Sequence, residues 1–413
     1  MQRLFLLVVT TCGCNLITGA DSLRECEGAE CASVPTGAGG SAGSTTSSGM
    51  GGGGPTAIDV EEIGTGRHST CVTLLPERTP WCWGEHTGDG TADTHTTPVQ
   101  VNGPVGGLSQ LVHGVSHHCG IGALGEVYCW GNNDFGQLGT GDNRARREPT
   151  LVAGTLPPIA RLSTAGMHTC ALSDGTPPES FCWGWNAHGQ LGTGDTMDRN
   201  APTPINVAPT EVIHQGCGFA YSCAVTVEGV VYCWGLNNQG QLGVDPTMTP
   251  MLDNPTLIQG LPDLERIYPG YEHTCGRTAI DRKLLCWGSN DSGQLGNGMM
   301  ASTHMPQSID AIAKVDVAYP GVGHTCVLDA GTADEGILWC WGNNDHGQLT
   351  DMAANPQLEP LQIGIGVTRF SGKASNHICF GAADSIGCVG LNDSGQLGRG
   401  TYESTGDYEP VQF

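Results

Sequence analysis

One pattern returns every ~50 residues from Ile58 to the C-terminus, and it limits this chain to a repeat architecture. Two full copies are GMHTCALSDG…FCWGWNAHGQLGTGD, from Gly166 to Asp195, and GYEHTCGRTA…LCWGSNDSGQLGNG, from Gly270 to Gly298. The outline is G-x-x-H-T-C, a hairpin-length stretch, C-W-G-x-N-x-x-G-Q-L-G, a polar loop and a Pro-containing strand. The Trp-Gly step falls at Trp83, Trp130, Trp183, Trp234, Trp287 and Trp341, and a seventh copy reads Val389-Gly390. Seven such units mean blades or solenoid turns.

Each unit holds several short β-type runs split by turn residues, such as Gly229–Gly235 and Glu359–Ile363. The chain has 64 glycines, 24 prolines and only 14% charged residues, which suits many short strands and no long helices. Four short strands per unit make a propeller blade. No capping repeats of the kind an open solenoid needs are apparent. The expected fold is therefore an all-β, seven-bladed β-propeller over residues 58–413. The last segment, Glu409–Phe413, matches a strand that elsewhere leads into the next repeat, and the first repeat lacks that strand. Pairing of the N- and C-terminal segments in a shared blade is expected to close the ring and remove two sheet edges.

The motif G-x-x-H-T-C…C-W-G-x-N-x-x-G-Q-L-G resembles the repeats of the regulator of chromosome condensation. Three copies depart from it. The first reads WGEHTGDG at Trp83–Gly90, the sixth ends in Thr350 where glycine is usual, and the seventh has Val389 for Trp.

The 19 cysteines include one matched pair per repeat. The pairs are Cys71 with Cys82, Cys119 with Cys129, Cys170 with Cys182, Cys223 with Cys233, Cys275 with Cys286, Cys326 with Cys340, and Cys379 with Cys388. Each brackets one hairpin, which suggests seven intra-blade disulfides in an exported chain. The alternative is zinc held by a pair and its nearby histidine, such as His168 with Cys170 and Cys182. A repeat offers at most three such ligands where zinc needs four, so no metal or cofactor is expected. Cys12, Cys14, Cys26, Cys31 and Cys217 are left over. Cys217 reads as a buried thiol.

Export is suggested by MQRLFLLVV at Met1–Val9, followed by small residues and cysteines. This resembles a lipoprotein signal, with residues 1–13 removed and Cys14 lipid-modified. Cys12 as the modified residue and an ordinary secretory signal are the alternatives. Residues 14–57 form a Gly/Ser-rich tether. The expected location is extracytoplasmic, either on a bacterial outer membrane or cell surface or secreted.

The repeated Trp residues read as wedges between blades, and the repeated Asn residues, Asn133, Asn186, Asn237, Asn290, Asn344 and Asn392, as ties within their own loops. The repeated histidines, His117, His168, His273, His324 and His377, read as bonds across a blade's inner strands rather than as general bases. The positions around G-Q-L vary freely on this fixed frame. Asp134, Phe135, Trp185, His188, Leu236, Gln239, Asp345 and His346 are the candidate recognition residues.

A net charge of −24 argues against nucleic acid and anionic lipid as partners, leaving membrane attachment to the N-terminal anchor. No catalytic motif is visible. The expected function is that of a monomeric protein-binding or scaffold module at the cell envelope, not an enzyme. The family resemblance implies an alternative, guanine nucleotide exchange on a small GTPase. A glycan-binding or glycan-cleaving propeller is a second.

Overall fold

The computed structural model describes residues 59–208, 211–330, 336–351, 353–382 and 385–413. The expected signal segment, Cys14 and the tether lie outside them. The described chain is all-β and forms seven blades. Six are four-stranded antiparallel meanders, at residues 60–100, 109–151, 159–205, 212–257, 264–308 and 315–365. The first strands of blades 1 to 6 pack one against the next, and that of blade 7 packs against blade 1, to form the inner ring.

Blade 3 illustrates why these residues form this unit. Its inner strand is Ile159–Thr164, followed by His168–Ser173 and Ser180–Gly184, with Arg199–Ile205 outermost. The two middle strands are buried on both faces, as in a sheet covered on both sides. The outer strand carries the repeat's proline. Proline has no N–H to give a further neighbour and so belongs at an edge.

The proline rule also explains how the ring closes. The seventh blade has three strands, Arg369–Ser371, His377–Ala382 and Ser385–Gly390. The C-terminal segment lies along the third through bridges Gly390↔Thr405 and Gly387↔Pro410. Pro410 faces Gly387 as Pro204 faces Phe181 in blade 3, so a proline again lies on the outer edge. Every blade is thus built from contiguous sequence. The first and last blades do meet, but as neighbouring blades and not as strands of one shared sheet. Phe413 stands edge-on to Trp81 and Trp83 of blade 1, at 6.4 and 6.0 Å.

Each of the seven cysteine pairs lies directly opposite across the second and third strands of its blade, with Cα atoms 4.1–4.2 Å apart. The apolar clusters lie between blades: one joins Leu138 and Val152 of blade 2 to Leu162 and Trp183 of blade 3.

Four of the joints between blades are made polarly through one carbonyl, that of the Gln in G-Q-L. Gln190 O accepts from Trp234 Nε1 (2.8 Å) and Ser222 Oγ (2.9 Å) of the next blade. Gln241 O does so from Trp287 and Thr274, and Gln294 O from Trp341 and Thr325. Gln396 O accepts from Trp83 (2.7 Å) and Thr70 (2.8 Å), so ring closure uses the same joint. The histidines extend it. They bond to the next blade's hydroxyl, not within their own blade as expected: His117 to Thr169, His168 to Ser222, His273 to Thr325 and His377 to Thr70, at 2.7–2.9 Å.

The departures from the repeat fit one another at this joint. The glycine after G-Q-L lies against the next blade's indole, and a Cβ on Gly296 would fall 2.5 Å from Trp341 Nε1. Where Thr350 replaces that glycine, at φ 114°, the next blade has Val389 and no indole. Ile378 stands opposite Val389 and replaces the Thr, leaving His324 Nε2 without a partner. This interface is sealed by apolar packing instead.

Deleting Tyr408–Phe413 removes the outer strand of blade 7, including buried Val411 and the Phe413 contacts. We expect stability to fall by on the order of 3 kcal/mol in chemical denaturation; an unchanged midpoint would contradict the closure. Burial holds His168, His273 and His377 down to about 3 and His324 to about 4, from an ordinary 6.5. On acidification the unfolded chain takes up these protons first. Stability is therefore flat above about pH 6.5 and falls from there toward pH 4, by about 1.4 kcal/mol per ring per pH unit once well below 6.5. Denaturation midpoints across this range check the sign.

Candidate recognition face

In each blade the loop between the first and second strands and the loop between the third and fourth emerge on the same face. The longer loop is fixed from within by its Asn. In blade 3, Asn186 Oδ1 accepts Leu191 N (2.9 Å), and Nδ2 donates to Asp195 O and Met197 O. The Gln side chain caps the turn: Gln190 Oε1 accepts His188 N at 2.9 Å. The same bonds recur at Asn133 and Gln137, Asn237 and Gln241, and Asn392 and Gln396. The residues between Asn and Gly sit at the tip, and their side chains differ from blade to blade.

Three of the eight candidate residues come together. Trp185 lies 6.1 Å from Phe135 of blade 2 and 5.2 Å from His188, measured between ring centres. All three are half-buried. Asp134 is exposed beside Phe135, its carboxylate accepting from Asn132 Nδ2. Leu236 and Gln239 occupy the matching loop of blade 4, half-buried. Asp345 and His346 sit on blade 6, apart from the aromatic group. Asp345 accepts from Asn343 and Asn355, which together hold its carboxyl below the usual range.

The sequence reading missed two further rings. Phe219 of blade 4 lies 6.0 Å from Trp185, and Tyr271 of blade 5 stacks on Phe219 at 4.1 Å. Both fill the second position of G-x-x-H, in the shorter loop. That position also varies between copies (Arg67, Val115, Met167, Phe219, Tyr271 and Val322), and this was the signal available. The result is an arc of rings across blades 2 to 5, in the order Phe135, Trp185, Phe219, Tyr271, with His188 beside Trp185. Phe135 also walls an open cleft of about 310 Å³ with Asp198, Arg199 and Asn200. Neighbouring short loops are tied by backbone bonds, such as Val115 N to Gly166 O and Tyr271 N to Gly321 O, which fixes the inner end of the arc.

Cys217 lies on an inner strand, away from this face's loops, fully buried and donating to Ser163 O at 3.2 Å. Burial pushes its thiol up to about 11, which leaves it protonated and a poor nucleophile at neutral pH.

The sequence profile of the regulator of chromosome condensation (RCC1) repeat matches residues 125–172, 179–225, 228–276 and 282–328, and a second profile of that repeat matches 110–137 and 213–241. The ultraviolet-B receptor UVR8 of Arabidopsis thaliana is 28% identical over 282 residues, covering 65% of this chain and 61% of the receptor. The E3 ubiquitin-protein ligase HERC2 of Mus musculus is 26% identical over 309 residues, 71% of this chain but 6% of the ligase. The chain thus matches less than two thirds of the length of either. Among solved structures, yeast RCC1 (Prp20) bound to Kap60 superposes with a TM-score of 0.71 at 19% identity, covering 87% of this chain and 85% of that one. Human WBSCR16 superposes at 0.67 and 19% identity, covering 78% and 85%.

Six of the nine tryptophans are fully buried, whereas Trp185 is half-exposed and touches nothing in the core. We expect Trp185→Phe to reduce iodide-quenchable fluorescence while changing stability by no more than about 0.5 kcal/mol. An unchanged quenching curve would place Trp185 inside the fold.

Proposed function

Because this chain belongs to the regulator of chromosome condensation (RCC1) repeat family, we propose that it is a protein-binding propeller whose partner docks on the aromatic arc. The single observation that carries this reading is the continuity of the arc: five aromatic side chains from four consecutive blades, on loops whose other residues are spent on fixing the loop. Large half-exposed rings on a rigid frame are the side chains that dominate protein interfaces, because they bury much area at little entropic expense. Related propellers bind proteins: the solved yeast structure is a complex with Kap60, and Prp20p is described by its binding to Gsp1p and histones. For this chain we infer a binding role without catalysis.

We further infer that it acts outside the cytoplasm, held at the envelope by Cys14 and the tether that follows. Seven cysteine pairs at disulfide distance support an oxidising location. The apolar N-terminal run supplies the sequence argument for export.

The test is affinity capture from envelope and secreted extracts with the oxidised chain, read by mass spectrometry. One enriched protein is expected, with its affinity reduced at least tenfold, about 1.4 kcal/mol, by Trp185→Ala combined with Phe219→Ala. His346→Ala on blade 6 is expected to leave it unchanged. Capture of a small GTPase would overturn the reading in favour of nucleotide exchange, and capture indifferent to both arc substitutions would remove the arc from the interface.

A further inference from the structure

Blade 2 breaks the repeat twice, and the two exceptions touch. The residue before the glycine of G-x-x-H is small or proline in its neighbours: Thr65, Ala165, Cys217, Pro269 and Pro320. In blade 2 it is His113. The residue before the first cysteine is the joint hydroxyl, Thr or Ser, in blades 1 and 3 to 6; in blade 2 it is His118. Nδ1 of His113 lies 2.7 Å from Nδ1 of His118. Both rings are buried, at 4% and 1% exposure. His118 Nε2 reaches Ser69 Oγ at 3.5 Å, whereas His113 Nε2 has no hydrogen-bond partner.

The pair faces blade 1 at Cys71. Ligand atoms of Cys71, His113 and His118 all lie within 4.8 Å of one another. Cys82 stands directly opposite Cys71 and supplies a second sulfur. Three of these donors, Cys71, His113 and His118, already converge. Cys82, held to Cys71 by the disulfide, lies outside that group and would join it by rotating once the bond is broken, to complete a tetrahedral soft-metal donor set of two sulfurs and two imidazoles. The three-ligand limit expected for a single repeat is lifted here because the site spans two blades. The other cluster of this kind among the described residues, His168, Cys170 and Cys217, has one imidazole, whose Nε2 already bonds Ser222.

We propose that Cys71, Cys82, His113 and His118 form a zinc site that opens when the Cys71–Cys82 disulfide is reduced, so that disulfide and metal are alternative cross-links of blade 1. In the oxidised chain both sulfurs are bonded to each other and supply no thiolate. A dithiol or phosphine reductant delivers two electrons to the S–S bond and is itself oxidised, leaving two thiols. Zn²⁺ then bonds both sulfurs as thiolates, releasing two protons, and takes one lone pair from each neutral imidazole. The proton held between the two Nδ1 atoms moves to the other nitrogen of its ring if that ring ligates through Nδ1.

The test uses the full chain, reduced with a phosphine, freed of reductant without air and titrated with Co²⁺. One ion per chain is expected, with the intense visible bands of tetrahedral thiolate cobalt. The comparison variants restore the residues other blades use, His113→Ala and His118→Thr, and are first shown to melt cooperatively when oxidised. Each is expected to lower Co²⁺ affinity at least about tenfold. In parallel, Zn²⁺ should protect Cys71 and Cys82 from alkylation in the reduced wild-type chain but not Cys223 and Cys233. The proposal is overturned by cobalt bound without thiolate bands, by equal binding in the oxidised chain, by unchanged affinity in the variants, or by protection spread evenly over all blades.

Discussion

At four of the seven joints between blades one backbone carbonyl, that of the Gln in G-Q-L, holds the neighbours together through two donors. At a fifth, Gln137 O accepts from Thr169 alone while Trp183 Nε1 has no partner. The carbonyl is buried and points at the next blade, so it must find donors there or be left unpaired at about 1–3 kcal/mol. An indole N–H and a Thr or Ser hydroxyl provide them, and the hydroxyl in turn meets the preceding blade's imidazole. The rest of the motif serves this contact. The Asn and the Gln side chain fix the loop that presents the carbonyl. The following glycine lets the loop approach the indole, since a Cβ on Gly192 would lie 2.9 Å from Trp234 Nε1. The cysteine pair ties the strand bearing the hydroxyl to the strand bearing the Trp.

This dependence explains which substitutions travel together. Val389 and Ile378 remove both donors from blade 7, and the loop facing them has lost its glycine at Thr350. Apolar packing takes over there. At the joint between blades 1 and 2 the loop has lost its Gln, and His86 O accepts from Trp130 instead. In the same joint His118 occupies the hydroxyl position and stacks on Trp130 at 5.3 Å. The irregular joints are thus where side chains were freed for other uses.

The blade count, the facing cysteines, the Trp wedges and the Asn ties were legible in the sequence because each recurs at a fixed offset. What recurs points to the frame. The partner of each histidine was not legible, since the contact joins residues about fifty positions apart in neighbouring blades. The mode of closure was not legible, because in sequence the Pro-containing strand reads as leading into the next blade, whereas its proline marks the outer edge of its own. The recognition face was half legible. Trp185, Phe135 and His188 stood out as variable residues in a conspicuous loop. Phe219 and Tyr271 occupy a position written as x in the motif, and only the shared face of the two loops brings them to Trp185. Asp345 and His346 varied in the same way but lie on a blade without neighbouring rings.

The most direct measurement is a double-mutant cycle on Gln294 O, with Thr325→Val and Trp341→Phe examined by chemical denaturation. Either single change leaves the carbonyl one donor, whereas both together strand it. We therefore expect each single substitution to destabilise by about 1–3 kcal/mol, and the pair by at least about 0.5 kcal/mol more than their sum. Simple additivity, or single effects within about 0.3 kcal/mol of wild type, would contradict the view that this carbonyl joins the blades.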